Sequence, residues 1–313
     1  MYQFPIAACI SLQPLLTLVI THVDADHIAG ALPLLEDPAN AKLFKDVWFN
    51  GRRHLEPSSV LESFGAVQGE ALTRALLDNK MPWNIAYGFK QISLEDDGRP
   101  KKMTLLGGAV LTILSPTWAK LRAMQARWDD EVKAAGLDPI TEAPSPQAIL
   151  PGFEAFGFDI DALADFPFTE DDTKPNGSSI SFLLEFGGKA MLLGADAHPT
   201  VLVDAVRSLT GGAGLNVDLL KVPHHGSMSN TSKALLEAVN CKAAIFSSNG
   251  AYYQHPDKEA VARVIKYSPP GVRLVFNCKT KFNDMWDSDE LRNGWSYSTT
   301  YGNGDEGVSV HLI

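Results

Sequence analysis

The chain has 313 residues, 45% of them hydrophobic, which suits one large α/β domain or two small ones with a sizeable core. Its net charge of −10 argues against broad, salt-driven coating of nucleic acid, although a local basic strip would suffice for a limited contact. The three cysteines, Cys9, Cys241 and Cys278, are widely spaced in apolar runs. We therefore expect buried, reduced thiols of a cytoplasmic protein rather than disulfides or a zinc knuckle.

The first residues are apolar but do not predict a targeting segment. A signal peptide needs a basic amino-terminal region, and the first basic residue is Lys42. A membrane helix needs about 20 apolar residues, and this run contains Pro5, Gln13 and Pro14. We expect core strands here and no contact with a membrane.

Periodicity in the first half predicts alternating strands and helices. Apolar, β-branched runs predict strands at 14–20 and 47–49, and a strand pair around Gly107 and Gly108 at 103–114. Apolar residues at three- and four-residue steps predict a helix at 58–79, another at 115–136, and a helix start at 28–35. Residues 138–174 are rich in proline and acidic residues. They predict a long loop, either a cover over a site or an inert surface excursion.

The second half alternates in the same way, which predicts layers of helices on a sheet. The predicted elements are a hairpin at 180–193, helices at 198–209, 229–239 and 256–267, and strands at 217–222, 243–248, 272–276 and 308–312.

Four potential metal ligands fall within six residues, directly after the predicted strand at 14–20. They are His22, Asp24, Asp26 and His27. This places them on a strand-to-helix loop, where open α/β sheets carry their chemistry. Either aspartate alone could instead cap a helix, but capping does not require all four residues together. The set favours a metal site.

The pattern His-x-Asp-x-Asp-His resembles the second signature of the metallo-β-lactamase fold, which usually reads His-x-His-x-Asp-His. Aspartate at the third position, followed by Ile-Ala-Gly, resembles the competence protein ComEC-like branch of that fold. Further stretches resemble that branch in the same order, at 175–180, 192–198, 220–227, 247–250 and 255–257. The resemblance covers roughly residues 14–277.

The resemblance implies a single domain over 1–313 with an αββα sandwich, a helical insertion near 51–102 and the long loop near 138–174. The fold normally begins with several strands and a Gly-Asp turn, whereas only twenty-one residues precede His22. We expect a fragment or a late start that lacks part of the first strands. Some ComEC-like domains are fused to membrane channels. This chain contains no such channel, so DNA uptake is not expected.

The resemblance also implies two divalent cations. The expected ligands are His22, Asp24, Asp26, His27, Asp196 and His224. Asp196 stands where the family has a bridging carboxylate, although it could instead cap the helix that follows. At least one of His224 and His225 should be a ligand, and the other would bind a phosphate or orient the first.

The family often has a further ligand histidine where this chain has Asn176 and Ser178, which would hold a water or a substrate oxygen instead. Oxygen-rich ligands shift the metal preference from zinc toward manganese or magnesium, and we expect zinc or manganese. His255 is either a phosphate donor and general acid or a plain helix-start residue. Phosphate could also contact residues around the second motif, namely Lys221, Ser227, Ser229 and Asn230.

The expected chemistry is metal-assisted hydrolysis, with Asp26, His225 and His255 as catalytic residues. The expected substrate is a phosphodiester, such as single-stranded DNA or a nucleotide. The alternatives are hydrolysis of a small ester, lactone or thioester, or a non-catalytic partner domain. A nuclease would need a basic or aromatic strip. The candidates for that strip are Lys221, Arg52, Arg53, Trp48 and Tyr252. The oligomeric state stays open.

Overall fold

The computed structural model describes residues 16–55, 71–105, 107–128, 159–251, 253–303 and 307–312. The chain divides into two compact units. The first contains Met1–Gly108, Ile113–Ala143 and Asp172–Ser181, and the second contains Ala109–Thr112, Pro144–Asp171 and Phe182–Ile313. Helices and strands occur in both, so the predicted α/β class is confirmed. The αββα sandwich and the single-domain organisation stay predictions.

The helices are α1 (Ala25–Ile28), α2 (Ala31–Glu36), α3 (Pro38–Ala41), α4 (Ala71–Asp78), α5 (Trp118–Gln125), α6 (Ile160–Ala164), α7 (Lys174–Gly177), α8 (Pro199–Thr210), α9 (Lys233–Ala238), α10 (Lys258–Tyr267) and α11 (Asp289–Trp295). The strands are β1 (Leu16–Val19), β2 (Phe44–Trp48), β3 (Lys101–Thr104), β4 (Val110–Ser115), β5 (Ser181–Phe186), β6 (Lys189–Leu193), β7 (Leu215–Lys221), β8 (Val239–Phe246), β9 (Arg273–Phe276) and β10 (Ser298–Tyr301). Among the described residues, no helix has the length and apolar character needed to cross a membrane.

In the first unit, β1 and β2 form a parallel pair in which Leu18 lies opposite Val47 and Val19 opposite Trp48. Leu18, Phe44 and Val47 are fully or almost fully buried, in a core that also takes side chains from α1, α2, α4 and α5. The apolar run predicted as a strand therefore forms one because both of its faces are covered. Its carboxyl end leads straight into Thr21 and the histidine-aspartate motif.

The large sheet is mixed, with the strand order β10-β9-β8-β7-β6-β5-β4-β3. In the second unit, β5 and β6 form the predicted antiparallel hairpin. Its turn contains Gly187 and Gly188, both at positive φ (58° and 76°), as a tight two-residue hairpin turn requires. From β6 to β10 each neighbouring pair is parallel.

The parallel pairing of β6 with β7 determines where the second group of candidate ligands lies. Leu193, the last residue of β6, is paired with Lys221, the last residue of β7. Asp196 follows the first strand by three residues, and His224 follows the second by three. Because parallel strands end at the same edge of a sheet, both loops emerge together.

The prediction of a final strand at 308–312 is wrong. The last strand is β10, which pairs with β9 along residues 273–276, and residues 307–312 form no strand. The alternation of Val308 and Val310 with polar residues imitates a half-buried strand. The sheet ends at β10, which pairs with β9 on one side, and residues 307–312 do not continue it. Alternation alone therefore did not identify a strand, because a strand also needs a paired neighbour.

Two predicted helices have different bounds. The helix expected at 115–136 begins only at Trp118, after the cap residue Thr117, because Ser115 still belongs to β4. This helix ends at Gln125. The helix expected at 229–239 begins only at Lys233, with Ser232 as its cap.

Of the helix predicted at 58–79, the described part is α4. The described part of the loop predicted at 138–174 contains the short helix α6. Cys9 and Tyr252 lie outside the described residues, whereas Cys241 and Cys278 are buried and neither forms a disulfide, as expected.

Arg263 on α10 is 1% exposed, and its guanidinium is a hub that binds four backbone carbonyls of the second unit. Its guanidinium donates to the carbonyl oxygens of Met228 (2.7 Å), Thr231 (3.1 Å) and Phe166 (2.9 Å), and its Nε donates to that of Ala164 (3.3 Å). This single side chain therefore joins the segment around α6 to the loop before α9. That loop stays out of the helix because its carbonyls are bound here.

We predict that Arg263→Met lowers the free energy of unfolding by at least about 3 kcal/mol, since several carbonyls lose a charged donor and stay buried. Urea denaturation followed by circular dichroism measures the change. Arg207→Met, at an exposed position of α8, is the matched control and should cost less than about 0.5 kcal/mol. Equal losses in both variants would contradict the assignment of Arg263 as a hub.

His54 is buried in the first unit, at 4% exposure. Its ring packs edge-on against Trp83 with centroids 4.7 Å apart, and its Nδ1 accepts a hydrogen bond from the Gly51 amide at 3.2 Å. Burial and the nearby Arg53 charge lower the pKa of His54 to about 3. His54 is thus a neutral structural residue.

The low pKa predicts a pH dependence of stability. Below about pH 6.5 the unfolded chain binds a proton at His54, whereas the folded protein binds it only near pH 3. The free energy of unfolding therefore falls as the pH drops from about 6.5 to about 3. We predict that His54→Gln reduces this slope by up to about 1.4 kcal/mol per pH unit, as measured by urea denaturation at several pH values. The exposed His311→Gln variant should keep the wild-type slope.

Candidate metal centre

The first group of candidate ligands begins on the loop after β1 and continues into α1. Asp24 is at the cap position of α1, but its side chain makes no capping hydrogen bond. Asp26 and His27 lie inside the first turn of α1, so the helix starts earlier than predicted and the motif is only partly a loop. The side chain of His22 is fully buried, whereas that of Asp26 is 55% exposed.

The imidazole and carboxylate groups of this motif lie close together. His22 Nε2 is 3.3 Å from Asp24 Oδ2, and His27 Nε2 is 3.7 Å from Asp26 Oδ2. The two imidazole rings are 4.1 Å apart at their centroids. His22 and Asp24 therefore point the same way, and the adjacent Asp26 and His27 also face each other.

Thr21 contacts both histidines at Nδ1, the ring nitrogen that does not face the aspartates. Its Oγ1 lies 3.0 Å from Nδ1 of His22 and 3.0 Å from Nδ1 of His27. Ser179 Oγ adds a second hydroxyl at 3.2 Å from Nδ1 of His22. A histidine that binds a metal through one nitrogen is commonly oriented by a hydrogen bond at the other, and these two hydroxyls occupy that position. The strand-to-motif register provides this contact, since Thr21 directly continues β1.

Asn176 and Ser178 belong to the first unit, on and beside α7. Both side chains are buried, and Ser178 Oγ donates to the carbonyl of Pro175 at 2.7 Å. Ser178 is therefore engaged in closing its own helical turn. The hydroxyl that reaches His22 comes from the next residue, Ser179. Substrate binding by Asn176 and Ser178 stays a prediction.

The second group of candidate ligands comes from the loops after β6 and β7. Asp196 is 2% exposed and does not cap α8, whose cap residue is His198, so the capping alternative is wrong. Asp196 Oδ2 lies 3.8 Å from His224 Nε2 and 3.7 Å from His225 Nε2. One carboxylate oxygen thus faces two imidazole nitrogens, at distances too long for hydrogen bonds.

The turn that carries these histidines requires an unusual backbone. His224 and His225 both have positive φ (44° and 54°), and Gly226 follows at 89°. A Cβ at Gly226 would come within 2.7 Å of the Phe246 ring and of Pro256 Cβ. Left-handed conformations cost non-glycine residues about 1–2 kcal/mol each, and they persist where the surroundings determine them. The His-His-Gly sequence therefore encodes a turn that directs both rings.

Both histidines have acceptors at Nδ1. His225 Nδ1 is 2.7 Å from the carbonyl oxygen of Ser247, which can only accept. His224 Nδ1 is 2.8 Å from Asn230 Oδ1. With the ring proton on Nδ1, a neutral histidine has its lone pair on Nε2. The nitrogens that face Asp196 are therefore those that can bind a cation, and the two histidines are equivalent in this respect.

His255 precedes α10, whose cap residue is Asp257. His255 Nδ1 lies 3.2 Å from Asp257 Oδ1, and the His255 ring is 5.5 Å from that of His224 between centroids. Burial opposes ionisation of Asp257, but hydrogen bonds from His255 and the Met228 amide, with the charge of His255, hold its pKa below the ordinary value. A carboxylate therefore orients His255, and the only sequence signal for that pairing is that the two residues are two positions apart.

Several residues predicted to contact substrate are buried or form hydrogen bonds within the protein. Lys221 is 9% exposed, and its Nζ donates to the Val222 carbonyl at 2.8 Å. Ser227 is buried, and its Oγ accepts from the Ser229 amide at 3.2 Å. Asn230 is fully buried. A role for Asn230 in binding phosphate is therefore unsupported, whereas substrate contact by Lys221 and Ser227 stays a prediction.

The proposed nucleic-acid strip is not exposed in the described part of the chain. Trp48 is fully buried, and its Nε1 donates to Asp46 at 2.9 Å, so it cannot stack on a base. Arg53 lies over the Trp83 ring at 4.2 Å from its centroid. Arg52 is half-buried.

The donor chemistry of both groups fits a divalent cation. Zinc and manganese both accept imidazole nitrogen and carboxylate oxygen. Two ligands of one such ion, each about 2.0–2.2 Å from it, lie about 3–4 Å apart. The nitrogen-to-oxygen distances within each group, from 3.3 to 3.8 Å, are in this range.

Comparison with known proteins returned no match, either to a protein-family model or to a curated protein.

We predict that Thr21→Val weakens metal binding about tenfold or more, because His22 and His27 lose the hydroxyl that orients them. Thr21→Ser keeps the hydroxyl and should bind metal like the wild type. Competition with a chromophoric chelator measures both affinities, and circular dichroism checks the fold. Equal affinities for the valine and serine variants would show that the hydroxyl has no orienting role.

Proposed function

We propose that the chain is a metal-dependent hydrolase. The proposed ligands of two divalent cations, zinc or manganese, are His22, Asp24, Asp26, His27, Asp196 and His224. The observation that carries the proposal is the second group, where one oxygen of Asp196 faces Nε2 of both His224 and His225 at 3.7–3.8 Å. Since both Nδ1 atoms have acceptors, each neutral ring would turn its Nε2 lone pair toward Asp196, which is the arrangement that a divalent cation binds.

Divalent cations bound to these groups would lower the pKa of a coordinated water and offset negative charge on a phosphoryl oxygen. In this proposal Asp26, the most exposed carboxylate of the first group, orients the attacking water. His225 remains a candidate for either a ligand or a donor to the substrate, because its Nε2 faces the same carboxylate as that of His224.

His255 is the proposed general acid. The carboxylate of Asp257 orients its ring through Nδ1, so Nε2 would be the nitrogen that gives a proton to the leaving oxygen. A plain helix-start residue would have no need of this partner, since α10 already begins after the backbone of Asp257.

A phosphodiester remains the preferred substrate class, on the resemblance to the metallo-β-lactamase fold alone. Within that class, the burial of Trp48 and Lys221 favours a small phosphodiester over single-stranded DNA, because stacking and a basic strip are what hold an extended strand.

We predict that the purified protein binds zinc or manganese and hydrolyses bis-p-nitrophenyl phosphate. Asp196→Asn should reduce turnover by at least about 100-fold and lower the metal content, because an amide is a weaker ligand than a carboxylate. Asp204→Asn, at an exposed position of α8, is the matched control and should leave both unchanged. Metal content is measured by elemental analysis and turnover by the release of p-nitrophenol.

The alternatives predict other outcomes of the same assay. Turnover of a lactone or thioester without turnover of the phosphodiester would replace the substrate class and keep the metal centre. A wild-type protein that binds neither metal would contradict the proposal and favour a non-catalytic partner domain.

A further inference from the structure

Asn230 is fully buried in the loop between β7 and α9, and its amide joins three segments of the second unit. Its Oδ1 lies 2.8 Å from His224 Nδ1. Its Nδ2 donates to Asp171 Oδ2 at 3.0 Å and to the backbone carbonyl of Asp196 at 3.2 Å. The same side chain therefore contacts one candidate ligand directly, the backbone of a second, and a carboxylate from the segment after α6.

The partners of Asn230 determine which way its amide points. A carboxylate and a carbonyl can only accept hydrogen bonds, so the NH₂ group must face Asp171 and Asp196. The oxygen then faces His224 and can only accept, so the proton between them belongs to His224 Nδ1. The hydrogen-bond network thus selects one tautomer of His224, the one with its lone pair on Nε2.

Asp171 holds this amide in place. Its side chain is 6% exposed, and its backbone N–H donates to the Ser229 carbonyl at 3.1 Å. The neighbouring Glu170 accepts from the amide and hydroxyl of Thr200 at 2.7 and 3.0 Å. The end of the predicted loop is therefore anchored beside His224. Whether the rest of the segment covers a site or is a surface excursion stays a prediction.

We propose that Asn230, held by Asp171, is a positioning residue that fixes the Nδ1–H tautomer of His224 and so presents Nε2 to a cation. The tautomer does not depend on any metal. Only the final clause, on presentation to a cation, rests on the proposed function. Asn230 itself would touch neither metal nor substrate.

The tautomer is measured directly on the metal-free protein. Long-range ¹H–¹⁵N NMR of ¹⁵N-histidine-labelled protein, at about pH 8.5 where histidines are ordinarily neutral, distinguishes Nδ1–H from Nε2–H. His224→Gln assigns the signal. We expect the Nδ1–H form for His224 in the wild type and a loss of that preference in Asn230→Leu. An Nε2–H form in the wild type would overturn the proposal, whatever the variants do.

A charge exchange then tests the link to metal binding. In Asn230→Asp a second carboxylate faces Asp171, so we expect His224 to move and zinc affinity to fall about 10- to 100-fold. In the double variant Asn230→Asp with Asp171→Asn, the amide at position 171 can again donate to position 230, which still accepts from His224. We expect most of the lost affinity to return. Asn240→Asp makes the same chemical change near the first residue of β8. This variant is the control and should bind zinc like the wild type.

The outcomes separate the two proposals. If the wild type binds no zinc or manganese but shows the Nδ1–H tautomer, the proposed function fails and the positioning of His224 stands. If the wild type binds metal, and both single variants of Asn230 keep its affinity and its tautomer, the positioning role fails and the proposed function stands. Circular dichroism and melting curves identify a variant that has merely unfolded, and the wild-type tautomer still decides the proposal in that case.

Discussion

The parallel pairing of β6 with β7 is the constraint on which the second group of ligands depends. Because the last residues of the two strands are paired, the loops that carry Asp196 and His224 leave the sheet at the same edge. The turn at His224 and His225 then directs two rings toward one carboxylate, at the expense of two left-handed non-glycine residues. A slip in this register would separate the carboxylate from both rings, since each step moves a side chain by about 3.3 Å and to the other face.

Hydrogen bonds at Nδ1 are a feature that each group of candidate ligands shows by itself. Thr21 contacts His22 and His27, Asn230 contacts His224, and Ser247 contacts His225 through its carbonyl. In every case the opposite nitrogen is turned toward an aspartate. Structural histidines also make such bonds, as His54 does, but His54 faces the Trp83 ring rather than a carboxylate. The repeated geometry, rather than any single contact, distinguishes the candidate ligands from His54.

The strongest disagreements between expectation and structure arise where a residue's partners are distant in sequence. Lys221 and Asn230 are polar and close to the motif, so the sequence suggested that they bind phosphate. Asn230 is buried and cannot take that role. Its amide instead forms hydrogen bonds with His224, 6 residues away, and with Asp171, 59 residues away. Trp48 suggested a stacking platform for the same reason, whereas the core and Asp46 enclose it. The residue type predicts which interactions a side chain can form, but its burial decides whether a ligand can reach it.

The sequence by itself determined the α/β class, most strands and helices, and the identity of the histidine and aspartate groups. It could do so because periodicity and clustered ligand types are local properties, readable within a few residues. The tertiary structure decided the end of the sheet at β10, the late start of α9, and the partners of Thr21, Asn230 and Asp257. These depend on which residues become neighbours in space, which the chain's local pattern does not show. Hydrogen bonds across 29 to 59 residues, such as those of Met228 with Asp257 and Asn230 with Asp171, leave no periodic trace in the chain.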